Sequence, residues 1–161
     1  MTLKLQRKQQ ILEQHTGQLR KTLDELRESI EQAKNRMIDA PGAMQSHHDT
    51  TKIETGWLID GLVKRRKAVE NTLSVLTEIA SVMQSREFDH VLSGALVTLE
   101  HLNDVLRFFI VPDGEGSNVK IDEWDITLMS PTAPICSQLL GKEVGDTILF
   151  RGKEFVISEI E

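Results

Sequence analysis

Three groups of residues in this chain are of the types that chemistry requires. Cys136 could act as a nucleophile, but it sits beside Ile135 with no histidine near it in sequence. That setting favours a buried, inert thiol. Ser93-Gly94 lacks the Gly-x-Ser-x-Gly context that exposes a serine nucleophile. Asp113-Gly114-Glu115-Gly116 is glycine-rich, yet its acids would repel a phosphate. The second group is His47, His48 and Asp49 with Asp39 nearby. Imidazole and carboxylate together can bind zinc or manganese. Adjacent histidines point their rings apart in most backbones, so a polar turn with Asp49 capping the next helix is the simpler reading. The third group, Lys64-Arg65-Arg66-Lys67, would spread over more than half the circumference of a helix. A solvated exterior pairing with acids such as Glu25 or Glu28 is simpler than an RNA contact. The residues therefore offer no catalytic group, no metal site and no cofactor site. A binding module is expected rather than an enzyme.

The elements that must position these residues follow from periodicity. Leu5, Leu12, Leu19, Leu26 and Ala33 recur every seventh residue, and Gln9, Thr16, Leu23, Ile30 and Met37 form a second row four positions on. No proline interrupts residues 1–40. Leu62, Val69, Leu76 and Met83 repeat the pattern, helped by Leu58, Leu73 and Ile79. Asp49, and Thr51 with Glu54 three residues on, predict the start of this second helix through a capping box. Neither helix can bury its seam alone. An antiparallel coiled-coil hairpin over 1–84, with its tip at 39–48, is expected.

Composition changes near residue 85. Residues 1–85 hold 13 Lys and Arg against 11 Asp and Glu, whereas 86–161 hold 6 against 14. All five Phe residues and three of the four prolines lie in the second part. Short apolar runs there predict strands over Val91–Leu99, Arg107–Val111, Ile126–Met129, Thr147–Phe150 and Glu154–Ile160. Pro112–Gly116 and Arg151-Gly152-Lys153 read as turns, and Ala133–Leu140, closed by Gly141, as one short helix. The fold class is α+β: a helical hairpin, then an antiparallel β domain over 85–161. The whole chain has 161 residues and a formal charge of −6. A negative balance argues against nucleic-acid binding on charge alone, so no direct sequence-specific nucleic-acid partner is expected. No apolar run approaches the roughly 18–20 residues that span a bilayer. One cysteine allows no internal disulfide, which fits a reducing cytoplasm.

With those elements in order, the sequence resembles the bacterial GreA/GreB transcript-cleavage factors. Ser130-Pro131-Thr132-Ala133-Pro134 followed by Leu139-Leu140-Gly141-Lys142-Glu143-Val144-Gly145-Asp146 is similar to that family's "SP-x-A … L-hydrophobic-GK-x-x-GD" signature. A closing Val156-Ile157-Ser158-Glu159-Ile160 fits the same pattern. Asp49-Thr50-Thr51-Lys52-Ile53-Glu54-Thr55-Gly56-Trp57 resembles the family's "DAAKEEQGF". Phe108-Phe109-Ile110-Val111-Pro112-Asp113-Gly114 is similar to a strand and turn of divergent members.

The resemblance implies an N-terminal coiled-coil hairpin and a C-terminal domain of FKBP-like fold. It further implies a cytoplasmic factor whose hairpin enters the secondary channel of bacterial RNA polymerase. In the family, two acidic tip residues help hold a second Mg²⁺ at the polymerase centre, where backtracked RNA is hydrolysed. The family's tip, "GDLSEN-x-EY", laid on this chain without a gap places its Asp on Pro41 and its first Glu on Met44. Neither side chain offers Mg²⁺ a carboxylate, and a thioether is a poor ligand for a hard ion. The expectation is a polymerase-binding factor that modulates elongation, pausing or initiation without stimulating cleavage. Its partner-binding residues would be Asp39, Gln45, Ser46, His47, His48 and Asp49 at the tip. Ser130 and Pro131 would face the polymerase rim. Two other classes compete with this: a non-transcriptional adaptor, and an FKBP-type prolyl isomerase, which the absence of Tyr disfavours.

Overall fold

The computed structural model describes residues 3–39, 46–82 and 88–161, the side chains of 3–5 and 46–49 excepted. Two 37-residue helices come first, α1 (Leu3–Asp39) and α2 (Ser46–Val82). Each is about 55 Å long at 1.5 Å per residue. Strands β1 (Leu96–His101), β2 (Asp104–Ile110), β3 (Glu115–Ile121) and β4 (Trp124–Met129) follow. A short helix α3 (Pro134–Leu139) and strands β5 (Thr147–Phe150) and β6 (Lys153–Ile160) complete the α+β chain. Two compact units result: Thr16–Ser74, and Met1–His15 together with Val75–Glu161. Among the described residues no helix is long and apolar enough to cross a membrane.

The unit Thr16–Ser74 is the helical pair. Leu19, Leu23, Leu26, Ile30 and Ala33 are buried along α1, and Val69 along α2. Those positions follow the two heptad rows. Arg27 Nη2 reaches Glu70 Oε1 across the pair at 3.8 Å, and Arg66 Nε lies 3.7 Å from the same oxygen. Six residues separate the two helices. So short a link spans at most about 20 Å, and helices of this length can lie side by side only antiparallel. Two expected seam residues depart from the pattern: Met37 is 39% exposed and Leu58 54% exposed. Met83 lies outside the described residues.

The sheet has six strands in the order β3-β4-β2-β1-β6-β5. Four pairings are antiparallel, and β2 with β4 is parallel, where an antiparallel sheet was expected throughout. The parallel pair arises because β4 inserts between β2 and β3, so β3 runs against β4 at the sheet's edge. β3 was missed as a strand for that reason. Only Val119 of its seven residues is buried, and an edge strand shows no apolar alternation. The first strand also starts later than expected, at Leu96 rather than Val91. Gly94, at φ +89°, turns the chain, and its N–H donates to the Ile110 carbonyl at 2.7 Å.

Register sets the two faces. Val97 opposes Phe108 and Leu99 opposes Ile157, and these pack with Ile148, Phe155 and the α3 residues Ile135, Cys136 and Leu139. The other face carries Leu96, Phe109, Ile126 and Leu128, all buried. Arg7 stacks on Trp124, which shares that face, so the start of α1 lies there.

Gly114 marks the tightest point of the β2–β3 connection. A Cβ there would lie 2.4 Å from the Met129 backbone carbon. Its carbonyl accepts from Ser130 N–H at 2.8 Å, so neither segment can withdraw freely. Gly114→Ala is expected to cost about 3 kcal/mol by overpacking. A urea titration of the variant measures this, and an unchanged midpoint would show that the connection can yield.

Candidate functional site

The helical hairpin places the first set of expected binding residues. Asp39 is the last residue of α1 and is exposed. Ser46, His47, His48 and Asp49 form the first turn of α2 in backbone. Gln45 lies outside the described residues, as do the side chains of 46–49. The connection between the helices is therefore 40–45, shorter than the expected 39–48. Asp49 and Thr51 do not start α2, which begins at Ser46. Thr51 is a turn further in, where its carbonyl accepts from Thr55 Oγ1 at 2.7 Å. A capping box needs its threonine before the first turn, so the local motif was outweighed by a helix that extends further toward its N-terminus. Among the described residues no three His, Cys, Asp or Glu side chains converge into a group able to hold a metal ion.

Ser130 and Pro131 lie in the β4–α3 loop, both half-buried. Ser130 is fixed at both ends. Its N–H donates to the Gly114 carbonyl at 2.8 Å, and its carbonyl accepts from Ala133 N–H at 2.9 Å. Its hydroxyl lies 2.8 Å from Thr132 Oγ1 and accepts from Thr132 N–H at 3.3 Å. Ala133 is extended, and Pro134 opens α3, where its missing N–H would have had no helical partner. The loop is thus a rigid shelf rather than a floppy connection. Hairpin tip and shelf belong to separate compact units.

The rest of the signature is structural. Gly141, at φ +80°, ends α3 in the left-handed region that glycine alone enters without strain. Its N–H donates to the Val91 carbonyl, and Val91 N–H donates to Lys142, each at 2.8 Å. Asp146 Oδ2 accepts from Glu143 N–H at 2.9 Å. Gly145 N–H donates to Ile157, and Ile157 N–H returns to Asp146, both at 2.8 Å. These bonds seat the α3–β5 connection on β6. The backbone of the Gly-Lys-x-x-Gly-Asp string is therefore explained by folding.

Sequence reasoning missed a cluster at the start of α1. Arg7 Cζ lies 3.6 Å and Arg107 Cζ 4.0 Å from the Trp124 ring centroid. Arg7 Nη1 pairs with Glu161 Oε1 at 3.0 Å, and Lys8 Nζ lies 4.1 Å from the Phe88 centroid. Lys8 is 4% exposed. Burial lowers its ammonium from an ordinary 10.5 to about 8, while Glu161 pulls the other way. His15 is buried too, and its Nε2 has no hydrogen-bond partner among the described residues. Burial lowers the imidazole pKa against the raising influence of Asp113. Arg7 and Lys8 are 80 or more positions in sequence from Phe88, Arg107, Trp124 and Glu161, and no local motif could have joined them.

No family model matches the chain, and no curated protein does. Among solved structures, GreA factor homolog 1 (Gfh1) of Thermus thermophilus is similar, at 18% identity and TM-score 0.35. That match covers 91% of this chain and 94% of the other. A structure of the transcription factor Gfh1 shares 19% identity over 90% of this chain and 92% of its own, at TM-score 0.35. Gfh1 of Thermus aquaticus shares 18% over 89% and 92%, at TM-score 0.36. Similarity at this level bears on neither activity nor partner.

Proposed function

We propose that this chain is a Gre-type transcription factor that binds RNA polymerase, inserts its hairpin into the secondary channel and modulates elongation, pausing or initiation without stimulating transcript cleavage. The observation that carries the reading is a pairing within one sequence. The chain keeps the Ser130-Pro131-Thr132-Ala133 and Leu140–Asp146 signature, yet has Pro41 and Met44 where the resemblance expects two carboxylates. Two-metal hydrolysis needs hard oxygen ligands to fix the second Mg²⁺ and orient the attacking water. A hairpin without them can occupy a channel and still leave the RNA intact.

In this reading Asp39, Gln45, Ser46, His47, His48 and Asp49 contact the channel, and Ser130 and Pro131 meet the rim. The acidic balance of residues 86–161 suits a basic docking surface. The protein acts as a binding factor and not as an enzyme.

The test is a backtracked elongation complex with a cleavage-competent Gre factor, into which this protein is titrated while RNA shortening is followed. Suppression of shortening, overcome by more of the competent factor, is the expected result. No effect at high excess would overturn the reading and move the adaptor alternative forward.

A further inference from the structure

An open sheet ends in two edge strands whose outward N–H and C=O groups can accept a further strand. Here those edges are β3 and β5. β3 is blunted: its register against β4 shifts between Glu115 and Asn118, and Gly116 sits at φ +75°. β5 carries none of these devices. It reads Thr-Ile-Leu-Phe, without charge, proline or glycine, and it pairs with β6 without a shift. Its Leu149 is 63% exposed, and Val156, on the same face of β6, is 41% exposed.

The hydrogen-bond phase of β5 is fixed. Arg151 and Gly152, both at positive φ, close a two-residue hairpin to β6. Phe150 and Lys153 therefore exchange hydrogen bonds, and the next pair, Leu149 with Glu154, does not. At the other end Ile157 turns both its N–H and its carbonyl toward Asp146 and Gly145, which keeps the same alternation. The N–H and C=O of Thr147 and Leu149 thus point out of the sheet's edge. We propose that β5 pairs with β5 of a second copy of this chain, antiparallel, about a two-fold axis at Leu149. In that register the two Leu149 residues exchange both backbone hydrogen bonds and lay their side chains together on the exposed face. Ile148 meets Phe150 of the other copy on the opposite face.

Charge selects the same arrangement. Asp146 precedes β5 and Arg151 follows it, both exposed and neither in an ion pair among the described residues. Alternation puts Asp146 on the side of Ile148 and Phe150, and Arg151 lies on that side too, 4.9 Å from the Phe150 ring centroid. Antiparallel pairing brings each Asp146 beside Arg151 of the other copy, twice by symmetry. A parallel pairing would set acid on acid and arginine on arginine. The edges left outside are the two blunted β3 strands, so assembly stops at the dimer.

The inference does not depend on the polymerase reading, because it is read on the free protein. Four residues make a short ladder, so sedimentation equilibrium of the full chain must reach high concentration, where a reversible monomer–dimer equilibrium is expected. Leu149→Lys should weaken the dimer about tenfold or more, since the two-fold sets the ammonium on itself. Leu149→Cys should form an intermolecular disulfide under mild oxidation, its Cα atoms lying about 5.5 Å apart across the axis. Thr147→Cys on the same strand should not, since the register holds its two copies about 14 Å apart. Circular dichroism checks that every variant keeps the fold. A chain that stays monomeric at all concentrations overturns the proposal and leaves the β5 edge to an extended segment of a different protein. A dimer that survives Leu149→Lys, or equal cross-linking at 147 and 149, overturns it as well.

Discussion

Phe109→Ala should lose about 3–5 kcal/mol of folding stability, the cost of removing a fully buried aromatic ring. Phe109 is 0% exposed, opposes Leu96 on β1 and is paired with Leu128 on β4. It therefore lies between an antiparallel and a parallel neighbour, near the middle of the sheet. Both partners are about 1% exposed and anchored by strand hydrogen bonds, so the cavity cannot collapse cheaply. A domain's whole stability is about 5–15 kcal/mol, so this one change removes a large share of it. The melting temperature should fall by roughly 10 °C or more. Leu149→Ala is the matched control. That side chain is 63% exposed on edge strand β5, and its loss should stay within about 0.5 kcal/mol. Equal effects at the two positions would show that the sheet face around Phe109 is not the core described above.

The second large effect is a pH dependence centred on Lys8. Its pKa in the fold is about 8, against 10.5 ordinarily, chiefly because burial disfavours the charge. Below pH 8 folded and unfolded chains both hold the proton, and the fold carries the full cost of the buried ammonium. Between 8 and 10.5 the folded protein has released that proton while the unfolded chain still binds it. Stability therefore rises with pH across this window, by about 2 kcal/mol between pH 8 and 10. Lys8→Met should flatten the rise, since the thioether chain fills similar space without a charge. Urea midpoints of both proteins at pH 8, 9 and 10 test this. A variant that keeps the wild-type slope would assign the proton to another group. The variant also loses the contact over Phe88 and the attraction of Glu161, so its gain at neutral pH should be smaller than the flattening implies.

The parts legible in the sequence were those written in local periodicity. Leu19, Leu23, Leu26, Ile30 and Ala33 follow the heptad and are buried. The α3 helix, expected over Ala133–Leu140 and found at Pro134–Leu139, was visible through Gly141 beyond its end, because glycine enters the left-handed region there without strain. Leu58 was misplaced because a four-residue step from Leu62 is compatible with either flank of a seam. Only the partner helix decides between them. The strand β3 escaped because an edge strand need not alternate. The expected tip residues are only partly placed: Asp39 ends α1, and Ser46 to Asp49 open α2.

The sequence by itself determined the helical hairpin, the strand-rich second part and the absence of two tip carboxylates from their expected positions. All three are properties of residue type at short spacing, where backbone geometry fixes which side chains are neighbours. The tertiary structure alone decided that β2 and β4 run parallel. It alone brought Arg7, Lys8, Trp124 and Glu161 into one cluster. Those contacts join residues more than 100 positions apart, and their energy exists only after the intervening chain has closed.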